Sequence, residues 1–380
     1  MIYMDNAATS FPKPDKVYDE VLRCMKEYCA NPGRSGHVLS VASGKAIFEA
    51  REKISSFLNI KNPLRLCFTK NATESLNMAI KGILLPGDHV IATSMEHNSV
   101  IRPLKTLEKD SDIEITIVRG NSSGELDPDD IKRQIQDNTS LIICTLSSNV
   151  NGMIMPVKEI GSIARQSGIP FLVDASQGIG SVEVDTDEMN IDLLAFSGHK
   201  GLMGPQGTGG LYVREGIDIR PLIQGGTGSD SQNVYQPGHM PDMFESGTLN
   251  TPGIIGLKAG VDFITFLGRN EIRTYKHMLI ERLEDWLREI GGITFYHSSE
   301  MSKNSGIVAI NFGQRSSTEV SSILNDKYGI AVRPGLHCSP MAHETIGTLE
   351  SGIIRLSPGC FTTLEEVDLV TNAFRRLKYS

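Results

Sequence analysis

Short apolar runs separated by helical stretches leave this chain few architectures to choose from. LRLCFT, HVIAT, IEITIV, LIICTLSS, PFLVDAS, DLLAFSG and GTGGLYV read as strands, while TESLNMAIKGIL and VKEIGSIARQSG repeat their apolar residues at helical spacing. A strand that is apolar at successive positions has no face to give to water, so both its faces must be covered. Helices that link such strands can cover them, and that arrangement gives a mostly parallel sheet. The expected fold class is therefore α/β, built on a large, mostly parallel sheet.

The flanks differ. From about Asp15 to Leu58 the pattern is helical, broken at NPGRSGH (31–37), where Asn-Pro and two glycines force a loop. Beyond Thr251 a long helical region runs to about Ile290, interrupted near Gly268. ITFYH, GIVAINF, a helix at TEVSSILNDKYG, IAVRP and GIIRLS follow, then a final helix whose start carries a capping-box pair, Thr363 and Glu366. The 380 residues divide, on this reading, into a large lobe over 15–255 and a small α+β lobe made of 1–14 and 256–380.

Composition narrows the class of function. A net charge of −8 argues against a broad surface for nucleic acid or anionic lipid. MIYMDNAATSFPKP has an acid at Asp5 and no apolar core, so it does not read as a secretory signal. The apolar run GIPFLVDASQGIG is too short to span a membrane and carries Asp174. The six cysteines show no CxxC spacing, and Cys67 and Cys144 sit inside strand-like runs as expected buried thiols. These features place the protein in the cytoplasm, with neither a nucleic-acid nor a membrane partner.

Ligands of open parallel sheets gather beyond the carboxyl ends of the strands. LRLCFT runs into KNATESLN, a turn whose helix begins near Ala72. Its free amides and the Thr73 hydroxyl suit a phosphate, and a plain helix cap explains the same residues equally well. HVIAT delivers His97, LIICTLSS delivers Asn149, and PFLVDASQ delivers Asp174 and Gln177. DLLAFSG runs through Ser197-Gly198 into His199-Lys200, followed by a glycine-rich turn that admits close backbone approach. A lysine partly withdrawn from water in such a place is a nucleophile at neutral pH; a lysine at a strand end is otherwise simply solvated.

Taken together, DNAATS, NPGRSGHVLS, NATESLN, EHNS, SNVNG, DASQGIG, FSGHKGLMGPQGTGGLY, FESGTLN and GLHCSP resemble, in order, the class V aminotransferase superfamily. Within that superfamily of fold-type I enzymes dependent on pyridoxal 5′-phosphate (PLP), they resemble the cysteine desulfurases, in particular the short-loop, selenocysteine lyase-like group. The resemblance spans Asp5 to about Asp368. It implies a seven-stranded-type sheet in the large domain and a small α+β C-terminal domain.

The resemblance also implies roles. Lys200 would hold the cofactor covalently and Asp174 would pair with its pyridine nitrogen. His97 would stack on the ring, with Asn149 and Gln177 near the ring oxygen. Ala72, Thr73, Ser197 and His199 would hold the phosphate, joined by Thr248 from the neighbouring subunit of a homodimer. Arg355, in IIRLSPG, would take the substrate carboxylate, Asn149 lying beside it, since a planar guanidinium fork suits that task. L-cysteine would be the substrate, and a protein or thiol would accept the sulfur.

Cys338 bears on the type of reaction. By itself it reads as a small hydrophobe. In RPGLHCSP it lies in a Pro- and Gly-rich loop beside His337 and close to Arg333, cations expected to favour a thiolate. The resemblance makes it the residue that takes sulfur. Short-loop members read Arg-x-Gly-His-His-Cys-Ala, whereas here Leu336 replaces the first His, Pro334 precedes the Gly and Ser339 follows the Cys. These departures bear on substrate and acceptor. Selenocysteine lyase, another class V reaction in which Cys338 is incidental, and a non-catalytic scaffold remain as alternatives. His37 and His343 are open between the substrate pocket and a structural role.

Overall fold

The computed structural model describes residues 1–33 and 35–378. The chain begins with β1 (Ile2–Tyr3), α1 (Asp15–Glu27) and α2 (Val38–Phe57). An alternating stretch follows: β2 (Leu66–Thr69), α3 (Ala72–Ile83), β3 (His89–Thr93), α4 (Asn98–Ser111), β4 (Glu114–Val118), α5 (Pro128–Arg133), β5 (Thr139–Thr145), α6 (Val157–Ser167), β6 (Phe171–Asp174), β7 (Leu193–Ser197) and β8 (Gly209–Val213). Then come α7 (Thr251–Leu267), α8 (Arg269–Ile290), β9 (Ile293–Phe295), β10 (Val308–Phe312), α9 (Ser317–Tyr328), β11 (Ile330–Ala331), β12 (Arg333–Gly335), α10 (Pro340–Thr345), β13 (Ile353–Leu356) and α11 (Leu364–Lys378).

The large sheet has seven strands in the order β2-β8-β7-β6-β5-β3-β4. All its neighbours pair in parallel except those of β8, which runs against both β2 and β7. Side chains alternate across a strand, and the core records that alternation. Ile142 and Cys144 pack into one apolar cluster, with Phe171, Val173, Leu194 and Phe196. Leu141 and Ile143 pack into another, with Leu172, Leu193 and Ala195. This is why these strands read as unbroken apolar runs: each face has its own core.

A third core joins Met4 to α8, β10, α9, β13 and α11. Its four-stranded antiparallel sheet has the order β12-β13-β10-β9, and β1 pairs in parallel with β11. The amino-terminal strand thus belongs with the last third of the chain. The final helix is capped as its sequence indicates: the Thr363 amide donates to Glu366 Oε2 at 2.9 Å, and the Glu366 amide to Thr363 Oγ1 at 3.2 Å. Among the described residues no helix is long and apolar enough to cross a membrane.

Because β2, β3, β5, β6 and β7 point the same way, their carboxyl ends lie on one edge of the sheet. Thr73 at the start of α3, Asp174 at the end of β6, and His97, Asn149 and Lys200 in the following loops stand at that edge. Close approach is required just after the lysine, where a Cβ at Gly201 would stand 1.9 Å from the Ile179 carbonyl oxygen.

Candidate active site

A cavity of about 250 Å³ opens at this edge, lined by Ala72, Thr73, His97, Asn149, Asp174, Gln177, Ser197, His199 and Lys200, among others. The Lys200 ammonium has no hydrogen-bond acceptor among the described residues. Burial pulls its pKa down to about 8; the neighbouring charges that act on it come from Asp174, Arg355, Arg333 and Cys338. Asp174, at the end of β6, uses Oδ1 to accept from the Ser176 amide at 2.9 Å and hydroxyl at 2.5 Å.

Hydrogen-bond donors make up much of the lining. Asn71 caps α3, its Oδ1 accepting from the Glu74 amide at 2.9 Å, which leaves the first amides of the helix, Ala72 and Thr73, without an intrahelical acceptor. The Thr73 hydroxyl lies 2.8 Å from Ser99 Oγ, and Ser99 Oγ lies 2.9 Å from His97 Nδ1. His97 caps α4, with Nδ1 accepting from the Ser99 amide at 3.1 Å. Burial holds its ring neutral, with a pKa of about 4, so its proton sits on Nε2. His199 is likewise pulled to about 4 by burial, its Nδ1 lying 3.0 Å from Thr9 Oγ1.

Arg355 is fully buried. Its Nη2 donates to Asp5 Oδ1 at 2.8 Å and its Nη1 to the Asn149 carbonyl at 2.7 Å, while Nε is buried without a partner. A guanidinium has five donors, so these contacts fix its plane and leave donors over. Asn149 works mainly on the neighbouring loop: its Nδ2 donates to the His337 carbonyl at 2.7 Å and its Oδ1 accepts from Ser339 Oγ at 2.8 Å. It thus grips both flanks of Cys338. The Gln177 amide donates to the Ala7 carbonyl at 2.7 Å.

Cys338 is exposed, while Cys67 and Cys144 are buried, and burial pushes both of those thiols well above the usual range. His337 and Cys338 both adopt left-handed backbone, with φ of 52° and 59°. For residues other than glycine this costs on the order of 1–2 kcal/mol each, so the surroundings must hold the elbow in place. Asn149 does so, and the Asn98 amide at the start of α4 donates to the Cys338 carbonyl at 2.8 Å.

The expectation that His337 is a cation beside the thiol is overturned. Burial pulls its pKa to about 3, and its ring turns away, with Nε2 3.1 Å from the Arg333 carbonyl and Nδ1 3.4 Å from His343 Nε2. The charged neighbour of Cys338 is Arg333, whose Nη2 lies 3.8 Å from Sγ. Adjacency in sequence misled here because both ring nitrogens of His337 are taken up by His343 and the Arg333 carbonyl.

Two residues outside the sequence reading belong to this site. Lys13 donates to the His199 carbonyl and to Ser10 Oγ, both at 2.7 Å, and burial lowers its pKa to about 8. Glu96 lies behind His97, buried, with Oε1 accepting from Thr93 Oγ1 at 2.7 Å and the Thr145 amide at 2.8 Å. Burial raises its pKa to about 8. Lys13 follows the DNAATS segment and Glu96 opens EHNS, but nothing in one sequence tells a buried charge from a solvated one.

Thr248 and His37 do not join the cavity, and neither Arg355 nor Cys338 is among the residues that line it. Thr248 lines a separate groove of about 260 Å³ with Gly33, Phe48, Arg51 and Leu64. His37 caps α2 through its Nδ1, which accepts from the Ser40 amide at 3.2 Å. His343 is buried behind the Cys338 loop.

Comparison with known proteins is consistent over the whole chain. The family model "Aminotransferase class-V" matches residues 2–370. A probable cysteine desulfurase of Methanothermobacter thermautotrophicus is 35% identical over 97% of this chain and 92% of its own length. A cysteine desulfurase of Pectobacterium atrosepticum is 32% identical over 99% of this chain and 93% of its own. Among solved structures, the apo cysteine desulfurase from Thermococcus onnurineus NA1 superimposes with a TM-score of 0.94 at 33% identity, covering 100% of this chain and 94% of that one.

Proposed function

The chain belongs to the aminotransferase class V family, and from that membership we propose that it is a PLP-dependent cysteine desulfurase. It converts L-cysteine to L-alanine and leaves the sulfur as a persulfide on Cys338. The observation that carries this reading is one cavity that gathers Lys200, free of any acceptor among the described residues, with Asp174, His97 and the helix-start residues Ala72 and Thr73.

The residues present fit the cofactor. The unclaimed amides of Ala72 and Thr73, with Ser197 and His199, would hold its phosphate at a helix start. Asp174 would pair with the pyridine nitrogen and His97 would cover the ring, with Gln177 and Asn149 near the ring oxygen. Lys200 would anchor it. PLP bound there supplies a conjugated, electron-withdrawing ring that stabilises negative charge at the substrate α-carbon.

The protein's own groups then divide the work. Arg355 receives the carboxylate of L-cysteine through donors that Asp5 and Asn149 leave over. The Lys200 amine, which burial keeps only weakly basic, takes the proton from the α-carbon and later returns a proton to the product. Cys338 Sγ, as thiolate, attacks the substrate sulfur. The carbon–sulfur bond breaks, its electron pair stays with the carbon fragment, and protonation gives alanine. The new sulfur–sulfur bond leaves a persulfide that a thiol or an acceptor protein discharges.

The homodimer belongs to the same proposal. Helix α2 turns Val38, Val41 and Phe48 outward, and Leu64 is exposed as well. Phe48 and Leu64 line the groove that holds Thr248. An apolar surface next to that groove is suited to a second copy, whose cofactor phosphate Thr248 would reach.

The deciding assay measures alanine from L-cysteine beside parallel assays with L-selenocysteine and with a ketoacid acceptor. Alanine and sulfide from L-cysteine with added thiol, and no ketoacid dependence, are expected. Turnover that requires the ketoacid would replace this reading with a transaminase, and turnover of selenocysteine alone would replace it with a selenocysteine lyase.

A further inference from the structure

A chain of side chains behind Cys338 has no part in the chemistry described above. Thr348 Oγ1 lies 2.7 Å from His343 Nδ1, His343 Nε2 lies 3.4 Å from His337 Nδ1, and His337 Nε2 lies 3.1 Å from the Arg333 carbonyl. The two imidazoles stack with planes 11° apart and centroids 5.6 Å apart, and both are almost fully buried.

The direction of this chain follows from its end. A carbonyl oxygen only accepts, so His337 Nε2 carries a proton. Burial keeps both rings neutral, with pKa values pulled to about 3 and about 4. In neutral His337 the Nδ1 is then bare, and His343 Nε2 must donate to it. His343 Nδ1 is bare in turn and accepts from the Thr348 hydroxyl. Each link then has one donor and one acceptor; the Thr348 carbonyl, which also acts on the His343 ring, is the competing acceptor that the opposite tautomer would use.

What the chain holds is the segment Arg333–Cys338. Its end grips the Arg333 carbonyl, and the Arg333 guanidinium touches Cys338 Sγ. His337 is itself the first residue of the left-handed elbow, and its own carbonyl is fixed by Asn149. The ring of His337 is thus held at both nitrogens and its carbonyl is held as well. We infer that His343, oriented by Thr348, is a positioning residue that acts through His337 to aim Cys338 at the substrate. This rests on the desulfurase reading for its consequence, but not for its geometry.

His343→Leu removes both hydrogen bonds, whereas His343→Gln offers an amide N–H and a carbonyl in their place. With L-cysteine, His343→Leu is expected to lower kcat at least about tenfold while KM moves less than about threefold, because a mis-aimed nucleophile is lost in the transition state only. His343→Gln should recover most of that loss. Equal kcat in wild type and His343→Leu overturns the inference, and so does an equal loss in both variants, which would mark His343 as a filler of space. If His343→Leu does not fold, Thr348→Val decides: a normally melting Thr348→Val protein with full kcat overturns it.

A second measurement separates this inference from the activity. Nitrogen-15 spectra of histidine-labelled wild type should show both rings neutral and protonated at Nε2. A proton on Nδ1 of either ring overturns the relay whatever the protein catalyses. A wild type that makes no alanine ends the desulfurase reading, and the spectra then decide the relay alone.

Discussion

Glu96 is a carboxyl group with nowhere to put a charge. It is buried, one oxygen accepts two hydrogen bonds, the other has no partner, and Asp174 repels it further. Its folded pKa of about 8 lies above the ordinary 4.5, so the folded state keeps a proton that the unfolded state has released. Stability from this group is therefore complete below pH 4.5 and is lost as pH rises toward about 8. Glu96→Gln copies the neutral form and should flatten that decline by up to about 1.4 kcal/mol per pH unit. Urea unfolding of both proteins from pH 5 to pH 8 checks this, and parallel curves would refute it. At this scale the sequence shows which groups are present but not whether they are charged. Lys200 and Asp174 could be singled out because strand ends place them, whereas the turned ring of His337 depends on backbone angles that no residue type announces.

Helix α3 shows how a cap can leave amides open toward a cavity. Asn71 satisfies the amide of Glu74 and leaves those of Ala72 and Thr73 facing the cavity. Asn71→Ala should cost about 1 kcal/mol of stability, within the usual range for a lost cap. It should also weaken retention of an anionic cofactor, since the frayed first turn no longer aims its amides. Thermal melting and equilibrium dialysis of PLP against the variant check both parts; unchanged retention would place the phosphate elsewhere. Elements were the most legible scale in the sequence. The strands, the break at Gly268 and the Thr363–Glu366 cap follow from periodicity and end signals. The reversal of β8 does not follow from periodicity. It comes from the connection 198–208, which has no helix to carry the chain back across the sheet for a parallel pairing.

At the scale of the molecule the amino-terminal segment is the tie. β1 pairs with β11, Asp5 holds Arg355, Ala7 accepts from Gln177, and Thr9, Ser10 and Lys13 bind the His199 and Lys200 carbonyls. One short stretch thus joins the last third of the chain to the loop that carries the lysine. DNAATS was visible as a motif, but contacts between residues some 350 positions apart are not, because no local pattern encodes them. Lys200→Ala subunits mixed with Thr248→Ala subunits should regain activity, up to about a quarter of the wild-type sites at equal mixing in a twofold dimer. A fully active monomer at assay concentration would contradict the shared site.

The central claim is that sulfur passes to Cys338, and mass spectrometry of the peptides tests it directly. After brief exposure to L-cysteine without reductant, the Cys338 peptide of the PLP-loaded protein should carry one extra sulfur. Those of Cys67, Cys144 and Cys360 should carry none, two of them being buried and the third pushed by burial to about 11. In Cys338→Ala the adduct should vanish together with alanine release. Alanine formed by Cys338→Ala at the wild-type rate, or sulfur found on another cysteine, would contradict the account.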